Sequence, residues 1–512
     1  SVGPLTSKRM TEALEKKAKE LNIKIYDSTL VTSLITDRQE NEIRGVCALD
    51  FSKEQSRFVL FNCKNVVYAT GGPAGMYADS VYPECHNGAS GAAFRAGAKG
   101  KNLTEWQYGL ASIAPRWNVS GTYMQVLPKF VSVDSDGNRY EFLEDFFKDK
   151  YKALSMVFLK GYQWPFDCRK VENGSSIIDL LVYRERVLKG RRVFLDFREN
   201  PFGLKEIDFE SLDGAAADYL KKAKADFGTP IERLELMNSP AIDLYLNKGV
   251  DIRKEMLEIA LCAQHNNGGI AVDLWWQTDV KGLFAAGEVA GTHGVYRPGG
   301  SALNAGQVGS LRAARFIAKN RSGLPEKSGF EAMAKNILAA DQRLLNSLLS
   351  NENNVEEQTA RARRRMSEKG GAIRNEQKIA EALKETKQQL ESFENFVGAR
   401  GCEGVAKAFR LRDTLVSQLV YLSAMEHYAK LGGVSRGSYI CCDKDGILPE
   451  GLEEQFRFSA PSAETQPKIT EVLFNEQRVQ CEFSERLPRP LPQGGGFFEN
   501  VWRDYRKNGN VY

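Results

Sequence analysis

Two short apolar segments run straight into glycine. Val66-Val67-Tyr68-Ala69 leads into Thr70-Gly71-Gly72, and Leu283-Phe284-Ala285-Ala286 leads into Gly287-Glu288. An apolar run of this length between turn signals reads as a strand buried on both faces, as in a parallel sheet covered by helices. Glycine at its carboxyl end lets a ligand approach the backbone, in the crevice where open α/β sheets bind ligands. Taken singly, Gly71-Gly72 is equally a tight turn and Glu288 equally a helix cap. Taken together, far apart in the chain, they describe one Gly-rich α/β fold interrupted by an insertion.

The surrounding pattern fills in the expected elements. A helix capped by Thr6 or Ser7 carries Met10, Leu14, Ala18 and Leu21 on one face. Strands are predicted at 23–26, 30–36, 45–49, 58–61 and 64–69, with a parallel-sheet character. Residues 110–260 are richer in aromatics and charge. Strands are expected there within 124–133, a turn at 134–138, and helices at 177–189 and 212–226. A second Gly-rich block covers 262–318 and ends in a helix over 302–318. Helices follow at 328–350, 354–368, 376–395 and 403–430. The tail holds a strand at 472–474 and a Pro/Gly stretch at 487–496. The run Arg361, Arg363, Arg364, Arg365 reads as a solvated or inter-domain helix face, with an anion or partner site as the alternative.

Composition excludes several classes. Lys and Arg number 70 against 66 Asp and Glu, a formal charge of +4, which argues against a protein built around nucleic acid. No apolar run approaches the ~18 residues of a membrane span. No basic-then-apolar export signal follows Ser1. The nine cysteines include no C-x₂-C pair, so neither a zinc ribbon nor a self-contained iron–sulfur cluster is written here and no metal site is expected. Scattered reduced thiols suit a cytoplasmic protein.

The run His293-Gly294-Val295-Tyr296-Arg297-Pro298-Gly299-Gly300-Ser301-Ala302-Leu303-Asn304-Ala305-Gly306 carries the most information. A glycine-rich loop opens a helix with a small-residue face at Ala302, Ala305, Gly306 and Gly309. Such a helix start can press close to a flat ring. Its free N–H groups and positive dipole end suit a developing negative charge, such as that of a reduced flavin at its N1/C2=O edge.

With Phe94-Arg95-Ala96-Gly97-Ala98 and Gly268-Gly269-Ile270-Ala271-Val272-Asp273, these motifs resemble the succinate dehydrogenase/fumarate reductase flavoprotein and L-aspartate oxidase family. The resemblance is strong over 60–108 and 262–318, fair in the insertion and weak beyond 440. It implies an α/β, Rossmann-like FAD-binding domain, its N-terminal part absent, in two parts (1–109 and 262–325). An α+β capping domain (110–261) interrupts it, and a helical domain with a tail (326–512) follows. It implies FAD held by Ala69, Thr70, Gly71 and Gly72 on the adenosine side. Gly287 and Glu288 would lie at the ribityl chain, and Gly300, Ser301, Ala302 and Leu303 at the pyrimidine end. Arg297 matches the family arginine that grips a substrate carboxylate, or else serves a structural ion pair. His265 is an acid/base or substrate-contact candidate, or a satisfied loop histidine. His293 is as readily packing as catalysis. Tyr108, Tyr296 and Arg116 are candidates to line the cavity. Trp106, Trp117 and Tyr123 suggest either a larger, flatter substrate or core packing. His86 and His427 are read as structural.

The sequence also departs from the family. None of its 45 glycines forms G-x-G-x-x-G, so a preceding segment or another chain is expected to supply the pyrophosphate loop, without which FAD binding is weak. Gly109 stands at a family histidine, Ser176 at the proton-donating arginine, Gln264 at a second histidine and Gly88 at a flavin-side aspartate. Serine cannot replace a guanidinium acid at neutral pH, so little or no fumarate reductase activity is expected. The resulting expectation is an FAD-dependent oxidoreductase moving a hydride or electron pair between flavin and an unidentified, carboxylate-type substrate. Its electron partner is external, an iron–sulfur or other electron-transfer protein. The alternative is a relay or structural subunit with a degenerate substrate site.

Overall fold

The computed structural model describes residues 6–52, 57–84, 86, 90–327, 329–461, 468–488, 500, 503, 506 and 507. After the helix Thr6–Glu20, three strands form a meander: β1 (Thr29–Asp37), β2 (Glu42–Asp50) and β3 (Arg57–Asn62). Short connections between neighbours allow only antiparallel pairing, so this sheet lacks the expected parallel character. Parallel pairing is confined to longer returns. One joins β4 (Val66–Tyr68) to β13 (Leu283–Ala285), and another joins β14 (Ile373–Arg374) to β15 (Ile440–Ile447). Residues 23–26 are neither strand nor helix. Ile23 and Ile25 are about half exposed, and no neighbouring strand takes their hydrogen bonds.

A short strand, β5 (Gly100–Lys101), precedes the insertion. The insertion is entered along β6 (Trp106–Ile113) and left along β11 (Leu257–Asn266), which pair antiparallel across the expected boundaries at 109/110 and 261/262. Between them lie β7 (Arg116–Asn118), β8 (Lys129–Val133), β9 (Arg139–Tyr140) and β10 (Arg192–Asp196). Together they make a six-stranded sheet ordered β7-β6-β11-β10-β8-β9. The stretch predicted as strand from 124 begins instead with a helical turn, Thr122–Gln125, started by the positive φ (63°) of Gly121. Helices Lys150–Lys160, Ser176–Tyr183 and Pro230–Leu246 bury Leu154, Phe158, Ile178, Leu181, Leu234 and Tyr245 against this sheet.

The carboxy-terminal region is not helical throughout. Four long helices, Phe330–Ser350, Val355–Lys369, Glu376–Glu391 and Gly401–Lys430, are followed by the hairpin β16 (Ile469–Asn475) and β17 (Gln480–Arg486). Val472 and Phe474 alternate inward, so β16 adds to β5. The resulting sheet, β12-β5-β16-β17, includes β12 (Gly269–Ile270). His427 stacks on Phe483 with ring centroids 3.9 Å apart. The Pro/Gly stretch falls almost wholly outside the described residues, as does Gly88. The arginine run is partly solvated, with Arg361 and Arg364 exposed, and partly an inter-segment face. Arg363 pairs with Glu84 at 2.9 Å, and buried Arg365 donates to Gln389 at 2.7 Å.

One buried carboxylate ties the helical region to β1. Asp341 accepts from Thr32 Oγ1 at 2.6 Å and Ser33 Oγ at 3.1 Å, and pairs with Arg412 at 3.2 Å. Removing it leaves the Arg412 guanidinium without its counter-charge. Asp341→Ala is expected to cost about 3–5 kcal/mol, read as a lowered urea midpoint. Truncating exposed Leu246 to Ala should stay within about 0.5 kcal/mol of the parent.

Candidate active site

The parallel register Val66↔Leu283, Val67↔Phe284, Tyr68↔Ala285 sets the two glycine-ended strands side by side, and Ala286 N–H donates to Tyr68 O at 3.0 Å. Their carboxyl ends, Ala69-Thr70-Gly71-Gly72 and Gly287-Glu288, therefore meet. Ala69 and Thr70 line a cavity of about 290 Å³ walled by Val46, Val67 and the Phe409 ring. Gly287 has φ 78°, which favours glycine, and space stands open where a Cβ would be. A Cβ at Gly71 would run into the His86 ring, and one at Gly72 into the Glu288 carboxyl. Both glycines are thus needed for close approach, and His86, read as structural, lies in the site.

The loop 293–300 turns through Gly300 (φ 80°) into the helix Ser301–Asn320. A Cβ on Gly306 would reach Gly287 Cα at 3.7 Å, so the helix lies close against the end of β13. Space also stands open at Gly299 and Gly300. The amides of Ala302 and Leu303 sit in the first turn, where no preceding helical carbonyl takes them, beside a side chain (Leu303) 46% exposed. The Ser301 hydroxyl is used locally, donating to Pro298 O at 2.8 Å. These glycine gaps, a donor-rich helix start and one acceptor carboxyl fit an FAD molecule's flat ring and hydroxylated chain.

Glu288 accepts from Tyr82 O–H and from Asn266 N–H at 2.9 Å, and Asn266 Nδ2 donates to Tyr421 Oη at 2.5 Å. Burial pushes the Glu288 carboxyl up to about 7, against these hydrogen bonds. His265 Nε2 stands 4.0 Å from it. His265 lies at the end of β11 rather than in a loop, and its Nδ1 contacts Asn267 Oδ1 at 3.2 Å. The His265 and His293 rings meet edge to face at 4.7 Å. Neither His293 ring nitrogen has a hydrogen-bond partner. Burial, with Arg297 nearby, holds His293 down at about 4 and His265 well below its ordinary value, so both are neutral.

Arg297 is held by an uncharged partner. Its Nη2 donates to Gln107 Oε1 at 2.6 Å and its Nε to the same oxygen at 3.2 Å. The bulge between Ala263 and His265 puts His265 opposite Gln107 in the β6–β11 ribbon, so the strand pairing itself sets His265 beside the glutamine that holds Arg297. Tyr108 points to the other face of β6, 3.2 Å from Tyr77 Oη, and does not line the site. Tyr296 is exposed, with Arg169 over its ring, and Arg116 is taken by Glu84. Trp106 and Tyr123 are core residues, whereas Trp117 is partly exposed. Ser176 Oγ is buried and accepts from Asp167 N–H at 3.0 Å. Tyr82, Gln107 and Asn266 escaped sequence reasoning because their roles come from long-range contacts. The one local cue for Gln107 was its place two residues before Gly109.

The raised Glu288 acidity predicts a pH-dependent stability. In the folded state the carboxyl keeps its proton above the unfolded value near 4.5, so its favourable contribution is lost as pH rises from there towards about 7. Glu288→Gln should therefore raise the thermal unfolding midpoint at pH 8 and leave it unchanged near pH 4. Equal midpoints for both proteins at pH 8 would contradict this.

The family model described as FAD binding domain matches residues 2–303. A fumarate reductase (CoM/CoB) subunit of Methanothermobacter marburgensis is 27% identical over 328 residues, covering 62% of this chain and 50% of that protein. An uncharacterized FAD-dependent oxidoreductase of Methanocaldococcus jannaschii is 31% identical over 228 residues, covering 44% of this chain and 40% of its own length. The chain thus spans half or less of the length of these curated relatives. A solved quinol-fumarate reductase with menaquinol molecules superposes with a TM-score of 0.65 at 18% identity, over 94% of this chain and 75% of that one, a likeness of fold. With the FAD-binding model matched across both glycine-ended strands and the helix start at Ser301, this chain belongs to the FAD-binding domain family.

Proposed function

We propose that the chain is the flavin-bearing body of an oxidoreductase that moves a hydride between FAD and an organic carboxylate. The observation that carries this reading is Arg297. It is a half-buried guanidinium whose hydrogen bonds go to Gln107 and a backbone carbonyl, with no carboxylate in ion-pair range among the described residues. A charge desolvated to this degree without a counter-ion marks the place of an anion from outside the protein. It lies beside two neutral histidines and the Glu288 carboxyl, where substrate and cofactor would meet.

In this reading Ala69, Thr70, Gly71 and Gly72 flank the adenosine side of FAD. Gly287 makes room for the ribityl chain and Glu288 accepts from its hydroxyls. Gly300, Ser301, Ala302 and Leu303 present the helix start to the pyrimidine edge. When bound, FAD supplies the two-electron hydride chemistry that no side chain can. Arg297 orients the substrate by its carboxylate. Neutral His265 and His293 donate or accept hydrogen bonds without adding charge. With an acidity near 4, His293 is a poor general base at neutral pH and better suited to hold a carbonyl oxygen or exclude water.

Electrons exchange with an external partner, an iron–sulfur or other electron-transfer protein. The M. marburgensis relative, itself one subunit of a larger enzyme by its name, supports this. Among the described residues no helix is long and apolar enough to cross a membrane, and the eight described cysteines are free thiols. The free thiols support a place in the reducing cytoplasm. Glycine, serine and glutamine at 109, 176 and 264 favour a second reading, a relay subunit without small-molecule turnover.

Purified full-length protein should be yellow and, once reduced anaerobically, should be reoxidised by an unsaturated carboxylate. Arg297→Gln should keep the flavin spectrum and lose about 10²–10³-fold in turnover of that acid. A colourless protein that takes up no flavin would refute the proposal. A yellow protein that no organic acid reoxidises would favour the relay reading.

A further inference from the structure

Buried side-chain polar atoms without partners gather at the meeting of β6, β11 and loop 293–300. Trp164 Nε1, Gln264 Oε1, His265 Nε2 and both His293 ring nitrogens are among them. Each such atom costs about 1–3 kcal/mol when left unpaired, and several in one place mark a ligand that satisfies them. Two of them form a complementary pair. Gly109 and Gln107 share a face of β6, two residues apart. A Cβ at Gly109 would fall 2.5 Å from Trp164 Nε1 and 3.0 Å from Gln264 Nε2. The indole N–H therefore lies where a side chain at 109 would otherwise project. Gln264 Nε2 is already committed to Leu110 O at 3.2 Å, which leaves its Oε1 as the open acceptor.

Charge is distributed unevenly along this face. At one end stands Arg297 on Gln107, with no carboxylate in ion-pair range among the described residues and the buried Glu288 carboxyl farther off. At the other, about 7 Å along the strand for two residues, stand one neutral donor and one neutral acceptor. The other guanidiniums at the junction are already paired: Arg116 with Glu84, and Arg169 with Asp167 at 2.7 Å. A second anionic group on the ligand would face the Gln264 carbonyl oxygen, with neither of these paired guanidiniums free to receive it.

Deepening the oxidoreductase reading on which it rests, we propose that the substrate is a monoanion. Arg297 takes its single carboxylate, and Trp164 Nε1 and Gln264 Oε1 take an uncharged group such as a carboxamide or other donor–acceptor end. Trp164 and Gln264 set the charge specificity of the site, and dicarboxylates are its poorer ligands.

Three nearly isosteric probes separate charge from shape: fumarate (two charges at neutral pH), its monoamide (one) and its diamide (none). Calorimetric titration of the FAD-loaded full-length protein should show the monoamide binding at least 10-fold more tightly than either of the others. With fumarate as the control for lost packing volume, Trp164→Phe removes the N–H along with part of the ring. It should weaken the monoamide about 5–10-fold and leave fumarate unchanged. Gln264→Leu, a second variant independent of the indole, removes the acceptor and should likewise weaken the monoamide while leaving fumarate unchanged. Fumarate binding as tightly as the monoamide, or a yellow protein that binds none of the three, would overturn the proposal. Failure to take up flavin is read separately by absorbance and would sink the cofactor reading instead.

Discussion

Three backbone pairs hold the candidate site together. The parallel match of Val66, Val67 and Tyr68 with Leu283, Phe284 and Ala285 joins segments separated by the whole insertion. It brings Gly71-Gly72 and Gly287-Glu288 to one edge. Parallel strands cannot be joined by a tight turn, so a long crossover is required, and the inserted sheet and its helices occupy it. Shifting this register by one residue would turn Val67 and Phe284 over and separate Glu288 from Gly72. The antiparallel β6–β11 ribbon does the complementary work. It carries the chain out and back at one point and delivers Gln107 and His265 as cross-strand neighbours.

Burial then decides the electrostatics. The same desolvation raises the Glu288 carboxyl, lowers both histidines and lowers Arg297 from its ordinary value. The outcome differs by residue type. An imidazole can shed its proton and become a neutral hydrogen-bonding group. A guanidinium keeps its charge across the accessible pH range, so Arg297 remains a cation beside two neutral imidazoles. That asymmetry gives the site a single positive charge, whichever anion it receives. The loop after Gly72 is meanwhile clamped from both sides. Arg186 pairs with Asp79 at 3.0 Å, and Ser367 Oγ accepts from Ala78 N–H at 2.9 Å. Cap and helical region thus both report to the cofactor side.

Much of the fold could be read locally. The strands at 66–68 and 283–285, the helix from Ser301 and the four carboxy-terminal helices all announce themselves by apolar period and glycine boundaries. Where periodicity misled, a partner was missing or a turn intervened. Ile23–Tyr26 alternates like a strand but meets no edge, and residues 122–125 coil because Gly121 turns the chain. The hairpin β16–β17 was half visible, as an apolar stretch at 472–474. Its addition to β5 was not, because strand docking depends on residues hundreds of positions away.

The amino-acid sequence by itself determined which backbone positions can approach a cofactor, since only the residue at a position decides whether a Cβ is present. It also determined that Arg297, His265 and His293 were available, and that positions 109, 176 and 264 carry glycine, serine and glutamine. Only the tertiary structure decided what those residues became. It decided that Gln107 rather than a carboxylate holds Arg297, that Trp164 fills the space over Gly109, and that Tyr82 and Asn266 sequester Glu288. The physical reason is that burial and pairing are properties of neighbours. The neighbours of this site come from β4, β6, β11, β13 and the loop before Ser301, which only the folded chain brings together.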